Sequence, residues 1–439
     1  MPPSSNSSIL AVQQARCEVT SYNANPPIDM QLSQNILARF EGGSDLNTKP
    51  RISVVDLTRE WDARLSNALN IFVGLAAPPT TFGLDVSRRL VYAADDARIK
   101  AYRWEFGGGD RSSTLAHTFN SAGYVNAVTL TDGGSKLLRS GRHGIAAWDI
   151  DAQPAHETTV ENPDAASEGE GVESFAGTPP THTMDSEALA DVKVWKQHPS
   201  EAKNMPVAYD KRIGVSCASL ETQQTVTRYV GHGQEIRAIA TSGEDPNFFV
   251  TGAGDGGVRL YDVRIPAPVF VIDHCTEPIH TVLYEHISSH PFFIIGGSKS
   301  QQVKLWDARA RLPLYELSTG NNAVAKLAWD APRQDLYAET RCRHVDKFGQ
   351  PTDYRKAEFN DGVRARQDTR AWPEHAYHRE FSFGYPLDSG NDWLYRYRYK
   401  ADADVKVLPA YGTRKPSSNY RSPDVSCLTN LVSLPSGMF

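Results

Sequence analysis

The sequence predicts an all-β fold, a closed ring of seven four-stranded antiparallel blades. Three observations predict it. A strand ending recurs about every 45 residues, an Asp-bearing turn precedes that strand, and further strand-like segments lie upstream in each unit. Four short strands per unit, repeated at this step, make a propeller-like array whose closure removes exposed sheet edges.

The ending is plainest in GGVRLYDVR, residues 256–264, and QQVKLWDAR, residues 301–309. Tyr261 and Trp306 stand 45 residues apart, and Ser216 in RIGVSCASLE lies 45 residues before Tyr261. Trp148 in GIAAWDI comes 68 residues earlier still, so about 23 extra residues must intervene. Tyr102 in RIKAYRWE and Val55 in RISVVDLT continue the series at steps of 46 and 47. All six segments alternate with period 2, as strands do.

Ahead of three of these strands stands an Asp, three residues before the opening Ile or Val: Asp96, Asp210 and Asp255. An Asp in a tight turn accepts hydrogen bonds from that turn's N–H groups and fixes the hairpin register. Upstream strands read as TTFGLDVS, YVNAVTLT, EIRAIATS, IHTVLYEH and AVAKLAWD. The last of these opens a seventh unit, residues 323–340, and alternation returns in REFSFGYPL and DWLYRYRYK. The ring is therefore expected over residues 49–410, its last blade completed by about 375–410. Residues 1–48 form an N-terminal segment, partly disordered, that contributes to ring closure, and 411–439 form a tail.

These residues resemble the WD40 repeat proteins. The resemblance rests on Gly231-His232 before a strand pair, on Trp148-Asp149, Tyr261-Asp262 and Trp306-Asp307 at strand ends, and on the turn aspartates. It covers roughly residues 50–340. The sequence departs from the pattern where Arg142 and Ser300 occupy turn-Asp positions and Ser216-Cys217 replaces Trp-Asp. The resemblance implies a hydrogen-bonded network inside the blade that only His232, Asp255 and Tyr261 complete here, a structural role without chemistry.

Two insertions interrupt the ring. From His143 to Val192 there is no Lys or Arg, while eleven Asp or Glu occur. A Pro-, Gly-, Ser- and Glu-rich stretch of this kind buries too little apolar surface to offset its ordering entropy, so a disordered acidic insertion is expected at about 152–188. A polar insertion is expected at about 341–372. In LYRYRYK, a strand places Tyr395, Tyr397 and Tyr399 on one face and Arg396, Arg398 and Lys400 on the other. Such a pattern reads as a half-buried outer strand with a solvated basic face.

The bulk properties exclude several functions. A net charge of -6 provides no global attraction to nucleic acid or anionic membrane. The N-terminus lacks a signal-peptide pattern, and no apolar run approaches the roughly 20 residues needed to span a bilayer. Five scattered cysteines with no CxxC pair read as reduced thiols of an intracellular protein, nuclear or cytoplasmic. No G-x-S-x-G elbow, P-loop or H-E-x-x-H occurs. Ser216 and Cys217 sit mid-strand. His274, His280, His286 and His290 have no completing carboxylate or thiol pattern for a metal, and Gly107-Gly108-Gly109 opens no helix for a phosphate. The expectation is a non-enzyme with no catalytic residue, metal or cofactor, monomeric within a larger protein complex.

Arg264 and Arg309, two residues past Asp262 and Asp307, are not explained by blade architecture. Arg is the favoured side chain for bidentate ion pairs and for interface hot spots. WD40 proteins that act as substrate receptors of cullin-4 RING ubiquitin ligases carry a similar Trp-Asp-x-Arg ending, whose Arg touches the ligase's propeller adaptor. Trp306-Asp307-Ala308-Arg309 matches it, and Tyr261-Asp262-Val263-Arg264 matches with Tyr for Trp. The resemblance implies partner binding through Arg264, Arg309, Asp262 and Asp307. The alternatives are salt bridges within the ring, or an adaptor role in another assembly such as chromatin or RNA processing.

Overall fold

The computed structural model describes residues 5–43, 49–59, 68–75, 77–106, 111–153, 177–210, 212–273, 277–299, 301–344, 352–356, 371–376 and 390–404. They form seven four-stranded antiparallel sheets arranged as a seven-bladed β-propeller. The innermost strands are Pro27–Ser33, Thr81–Asp85, Val128–Thr131, Val192–Trp195, Ile236–Ser242, Ile279–Ile287 and Ala323–Asp330, one from each of blades 1 to 7. Neighbouring blades meet along these strands around the ring.

Each of the six sequence-derived reference residues falls on the third strand of its blade. Val55, Tyr102, Trp148, Ser216, Tyr261 and Trp306 pair with Leu37, Val91, Leu137, Val207, Phe249 and Phe293 of the second strand. All six are buried. The same register in blade 7 pairs Leu336 with Tyr397, which is therefore the seventh reference point. It lies 91 residues beyond Trp306, too far for the repeat step to reach.

Alternation turns one side of each sheet toward each neighbour, and the described residues contain seven hydrophobic clusters, one per blade pair. Between blades 5 and 6, for example, Val250, Val258 and Ile272 pack on Ile279, Phe293 and Trp306. Between blades 6 and 7 the helix Ser5–Gln13 adds Ala11 and Val12 to the cluster of Phe292, Leu305, Leu336 and Tyr397. Packing of this kind, at roughly 25 cal/mol per Å² of apolar surface removed from water, is what holds blade to blade.

Blade 7 is assembled from three distant parts of the chain. Its third strand is Trp393–Tyr399 and its outermost strand is Cys17–Asn23, in register from Cys17 opposite Tyr399 to Asn23 opposite Trp393. Pairing the N-terminal strand onto the last blade closes the ring by backbone hydrogen bonds. Blade 1 then begins at Pro27, so the expected boundary at residue 49 falls inside that blade, between its second strand, Ile36–Glu41, and its third, Arg51–Asp56. LYRYRYK is an inner strand of the blade, not its outer edge. Tyr395, Tyr397 and Tyr399 are buried and Arg396 is nearly so.

The insertions also differ from expectation at their margins. The fourth strand of blade 3, His182–Asp185, lies within the range 152–188. Within 341–372 a short sheet pairs Tyr354–Lys356 with Ala371–Pro373. REFSFGYPL, the acidic middle at 154–176, the tail at 411–439, His274, Ser300 and Gly107-Gly108-Gly109 lie outside the described residues.

Candidate interaction surfaces

Blade 5 brings His232 and Asp255 together, while Tyr261, expected in the same network, bonds elsewhere. Asp255 stands at the turn between the second and third strands, where Gly256 has φ +78°, a left-handed conformation suited to glycine. Its carboxylate accepts hydrogen bonds from the backbone N–H of Gly257 at 2.9 Å and of Gly233 at 2.7 Å, tying the turn to the segment that enters the blade. The His232 ring faces Asp255 at 3.2 Å through Nδ1 and meets Thr251 Oγ1 at 2.7 Å through Nε2. Tyr261 donates its hydroxyl to the Val230 carbonyl at 2.9 Å rather than to Thr251. Burial, followed by the Arg259 guanidinium, pushes the His232 imidazole down to about 4, so it is neutral at physiological pH. The network ties the turn, the entering segment and the second strand together.

The other turn positions vary. In blade 2 the turn N–H groups of Ala97 and Arg98 donate to Asp95, at 2.9 and 2.8 Å, while its neighbour Asp96 is exposed. The expected turn residue is therefore displaced by one, because the turn holds two consecutive aspartates and the inner one is the better oriented. Asp210 of blade 4 faces Lys193 at 3.5 Å. Trp148 donates its indole N–H to the Thr178 carbonyl at 3.2 Å, where Thr178 bridges onto Phe119 at the outer strand of blade 2.

The two Asp-x-Arg endings adopt different geometries. Asp262 is buried and accepts Arg264 Nε at 2.8 Å, with a second bond from the terminal guanidinium nitrogen at 2.5 Å, while Arg264 itself is 69% exposed. That hydrogen bonding, more than any other influence, holds the Asp262 carboxyl below the usual carboxylate range. Asp307 is half-buried and accepts the backbone N–H groups of Arg309 and Ala310, both at 2.9 Å. The exposed Arg309 guanidinium has no ion-pair partner among the described residues.

The side chains weighed as chemistry are dispersed. Ser216 and Cys217 are buried in blade 4, and burial pushes the Cys217 thiol up to about 11. His280 accepts from or donates to Arg237, His286 pairs with Ser242, and His290 meets the Ser288 carbonyl. Among the described residues no group of three or more His, Cys, Asp or Glu could hold a metal ion.

The sequence reading missed the mouth of the central channel. Here the starts of the inner strands of blades 4 to 7 and 1 meet the end of the second strand of blade 7, around a cavity of about 460 Å³. Lys193, Arg237, Lys326, Arg341 and Arg343 line it together with the single acid Glu235. No spacing in the sequence marks it, since its charged residues are spread over blades 4, 5 and 7.

Residues 223–262, from the last strand of blade 4 through the third strand of blade 5, match the family model for the WD domain, G-beta repeat. That segment of the seven-bladed propeller is a WD40 repeat. Among curated proteins the chain is similar to U3 small nucleolar RNA-associated protein 15 of Saccharomyces cerevisiae, 27% identical over 191 residues, 42% of this chain and 34% of that one. It is also similar to the ribosome biogenesis protein WDR12 homolog of Trichoplax adhaerens, 23% identical over 252 residues and 56% of each chain. A third relative is the nuclear distribution protein PAC1 of Arthroderma otae, 23% identical over 265 residues, 56% of this chain and 52% of that one. The matches span between about a third and about half the length of these relatives. Among the described residues no helix is long and apolar enough to cross a membrane.

Proposed function

We propose that this WD40 chain is a non-enzymatic protein-interaction scaffold working as one subunit of a larger nuclear or cytoplasmic assembly. The observation that carries the reading is the WD40 propeller itself, shared with relatives whose names place them in U3 small nucleolar RNA association, ribosome biogenesis and nuclear distribution. A propeller of this kind offers a ring-shaped platform of loops and rims on which partners assemble. The relatives favour an adaptor of RNA-processing or ribosome-assembly type over a ligase receptor. The domain scheme that fits this role is one propeller, interrupted near 152–188 and 341–372 and followed by a tail at 411–439.

The second reading, a substrate receptor of a cullin-4 RING ubiquitin ligase, draws on one structural observation. Arg309 presents a guanidinium with no ion-pair partner among the described residues, and Arg264 presents one backed by Asp262, at corresponding points of adjacent blades. One experiment separates the readings: affinity purification of the tagged full chain from cells, wild type beside an Arg264→Ala, Arg309→Ala double variant. The scaffold reading expects a stable set of co-purifying proteins of ribosome-assembly or RNA-processing type, unchanged by the double variant. Recovery of the ligase adaptor by the wild type, lost in the double variant with the melting temperature unchanged, replaces it with the receptor reading. Recovery of no stoichiometric partner by either sinks both.

A further inference from the structure

The channel mouth holds more positive charge than it pairs. Lys193 divides itself between Asp210 and Glu235, at 3.5 Å from each. Arg237 reaches Glu235 at 3.2 Å and His280 Nε2 at 3.1 Å, and its buried Nε has no hydrogen-bond partner. Lys326 pairs with Asp29 at 2.9 Å. Arg341 and Arg343 are exposed into the mouth and form no close ion pair among the described residues, although Asp392 lies within the field of Arg341 and Glu277 within that of Arg343.

The unpaired cations are close enough to act on one another. Burial, then the neighbouring Arg341, holds the Arg343 guanidinium below its ordinary value, with Glu277 opposing the shift and Arg237 adding to it. Burial, then Arg237 and Arg343, pushes His280 down to about 4. Like charges gathered in a concave site repel one another and raise a positive potential there, so such a cluster is stabilised by a bound anion. Arginine supplies the planar fork that matches phosphate oxygens two at a time.

We propose that the mouth of the channel binds a phosphorylated side chain on an extended peptide segment of a partner protein, with Arg341 and Arg343 as its principal phosphate contacts and Arg237 supporting them. The proposal rests on the scaffold reading and names the chemistry of one ligand. A phosphoserine or phosphothreonine carries roughly -1.5 to -2 charges at neutral pH, which balances two unpaired guanidiniums. The neighbouring wall is apolar, with Pro27, Ile28, Ala323 and Ala325, and suits the flanking residues of a peptide. A continuous nucleic-acid backbone fits less well. Glu235 in the mouth and Asp29 and Asp210 beside it interrupt the positive surface that a repeating polyanion follows.

The test is fluorescence anisotropy on the full chain with a labelled Ala-Gly-phosphoserine-Gly-Ala peptide, its unphosphorylated twin and a labelled ten-nucleotide oligouridine. The phosphopeptide is expected to bind saturably and at least about tenfold more tightly than its twin, and pyrophosphate is expected to displace it. An Arg341→Gln, Arg343→Gln variant should lose at least about tenfold in affinity, while Glu235→Gln, which removes the repelling acid, should gain a few-fold. Lys203→Gln, on an exposed pair outside the channel, should change nothing. Because Arg341 and Arg343 make no close ion pair among the described residues, the variant should melt as the wild type does, and a single Arg343→Gln replaces it if it does not. Equal binding of both peptides, tighter binding of oligouridine, or an affinity untouched by the Arg substitutions each overturns the proposal. A chain that still recovers protein partners from cells but ignores the phosphate keeps the scaffold reading and loses only this one.

Discussion

Blades 5 and 7 have the same four strands and the same register, yet they are locked in opposite ways. Blade 5 is continuous from Ile236 to Ile272, and its lock is local, with His232, Thr251, Asp255 and Tyr261 all within the one repeat. Blade 7 draws strands from residues 17–23, 323–341 and 393–399. Its locks are ion pairs between partners far apart in sequence. Arg396 donates to Asp335 at 2.8 Å inside the blade. Arg39 of blade 1 reaches Glu339 of blade 7 at 3.1 Å and also pairs with Glu41, which Arg51 holds at 2.7 Å. Arg39, Glu41 and Glu339 are at most 1% exposed. A repeat that closes on itself needs only local bonds, here gathered on the Asp255 carboxylate with Arg259 at 3.2 Å, whereas the blade that closes the ring must also hold two distant ends of the chain in one register. Buried charges that are costly to unpair discriminate strongly against the wrong pairing.

Breaking the seam should therefore hurt most. Arg39→Met leaves Glu339 buried without its cation, and the expected loss is about 3–5 kcal/mol in urea unfolding. Adding Glu339→Met to that background should recover part of the loss, since it removes a buried carboxyl that burial already pushes up to about 8 and that has lost its cation. A loss from Arg39→Met smaller than about 1 kcal/mol would show that the seam is held by strand pairing and apolar packing alone. The contrast with blade 5 would then disappear.

The lock of blade 5 can be read through pH. His232 titrates near 6.5 when unfolded but is pushed down to about 4 in the folded blade, by burial first and then by Arg259. Between these values the unfolded chain binds a proton that the folded chain refuses. The contribution of His232 is thus fully present above about pH 6.5 and is lost as pH falls toward 4, by up to about 3 kcal/mol. The difference in unfolding free energy between wild type and His232→Gln should shrink over that window and level off below it. A difference independent of pH would mean that the imidazole is not kept neutral by its surroundings.

The same contrast marks what was legible in the sequence. Where a blade is local, alternation and the 45-residue step place its third strand at Tyr102, Trp148, Ser216, Tyr261 and Trp306 without error of register. Where strands pair across more than three hundred residues, as Val19 does with Tyr397, nothing local records it. Blade 1 was hard to see for a related reason. Arg39 and Glu41 are charged residues on a fully buried strand, and they break the pattern by which a strand is recognised. The channel mouth was hidden because its cations, from Lys193 to Arg343, come from three blades. Arg341 and Arg343 sat in a stretch that reads by composition as a polar insertion.

The smallest expected effect on stability belongs to the two endings that match most closely in sequence. Arg264 clamps its own Asp262 through two hydrogen bonds, but it is largely exposed, and a solvated ion pair of this kind adds little to folding. Arg309 has no such clamp, because Asp307 is occupied with the backbone N–H groups of the following turn. Neither Arg264→Ala nor Arg309→Ala should shift the melting temperature measurably, whereas Asp262→Ala and Asp307→Ala should lower it by removing turn hydrogen bonds. If Arg264→Ala alone destabilises the fold, its pairing with Asp262 is a structural brace, and blade 5 keeps even its last arginine for internal use. If all four predictions hold, both guanidiniums are available to a partner, Arg264 already oriented by its carboxylate and Arg309 still free to choose one.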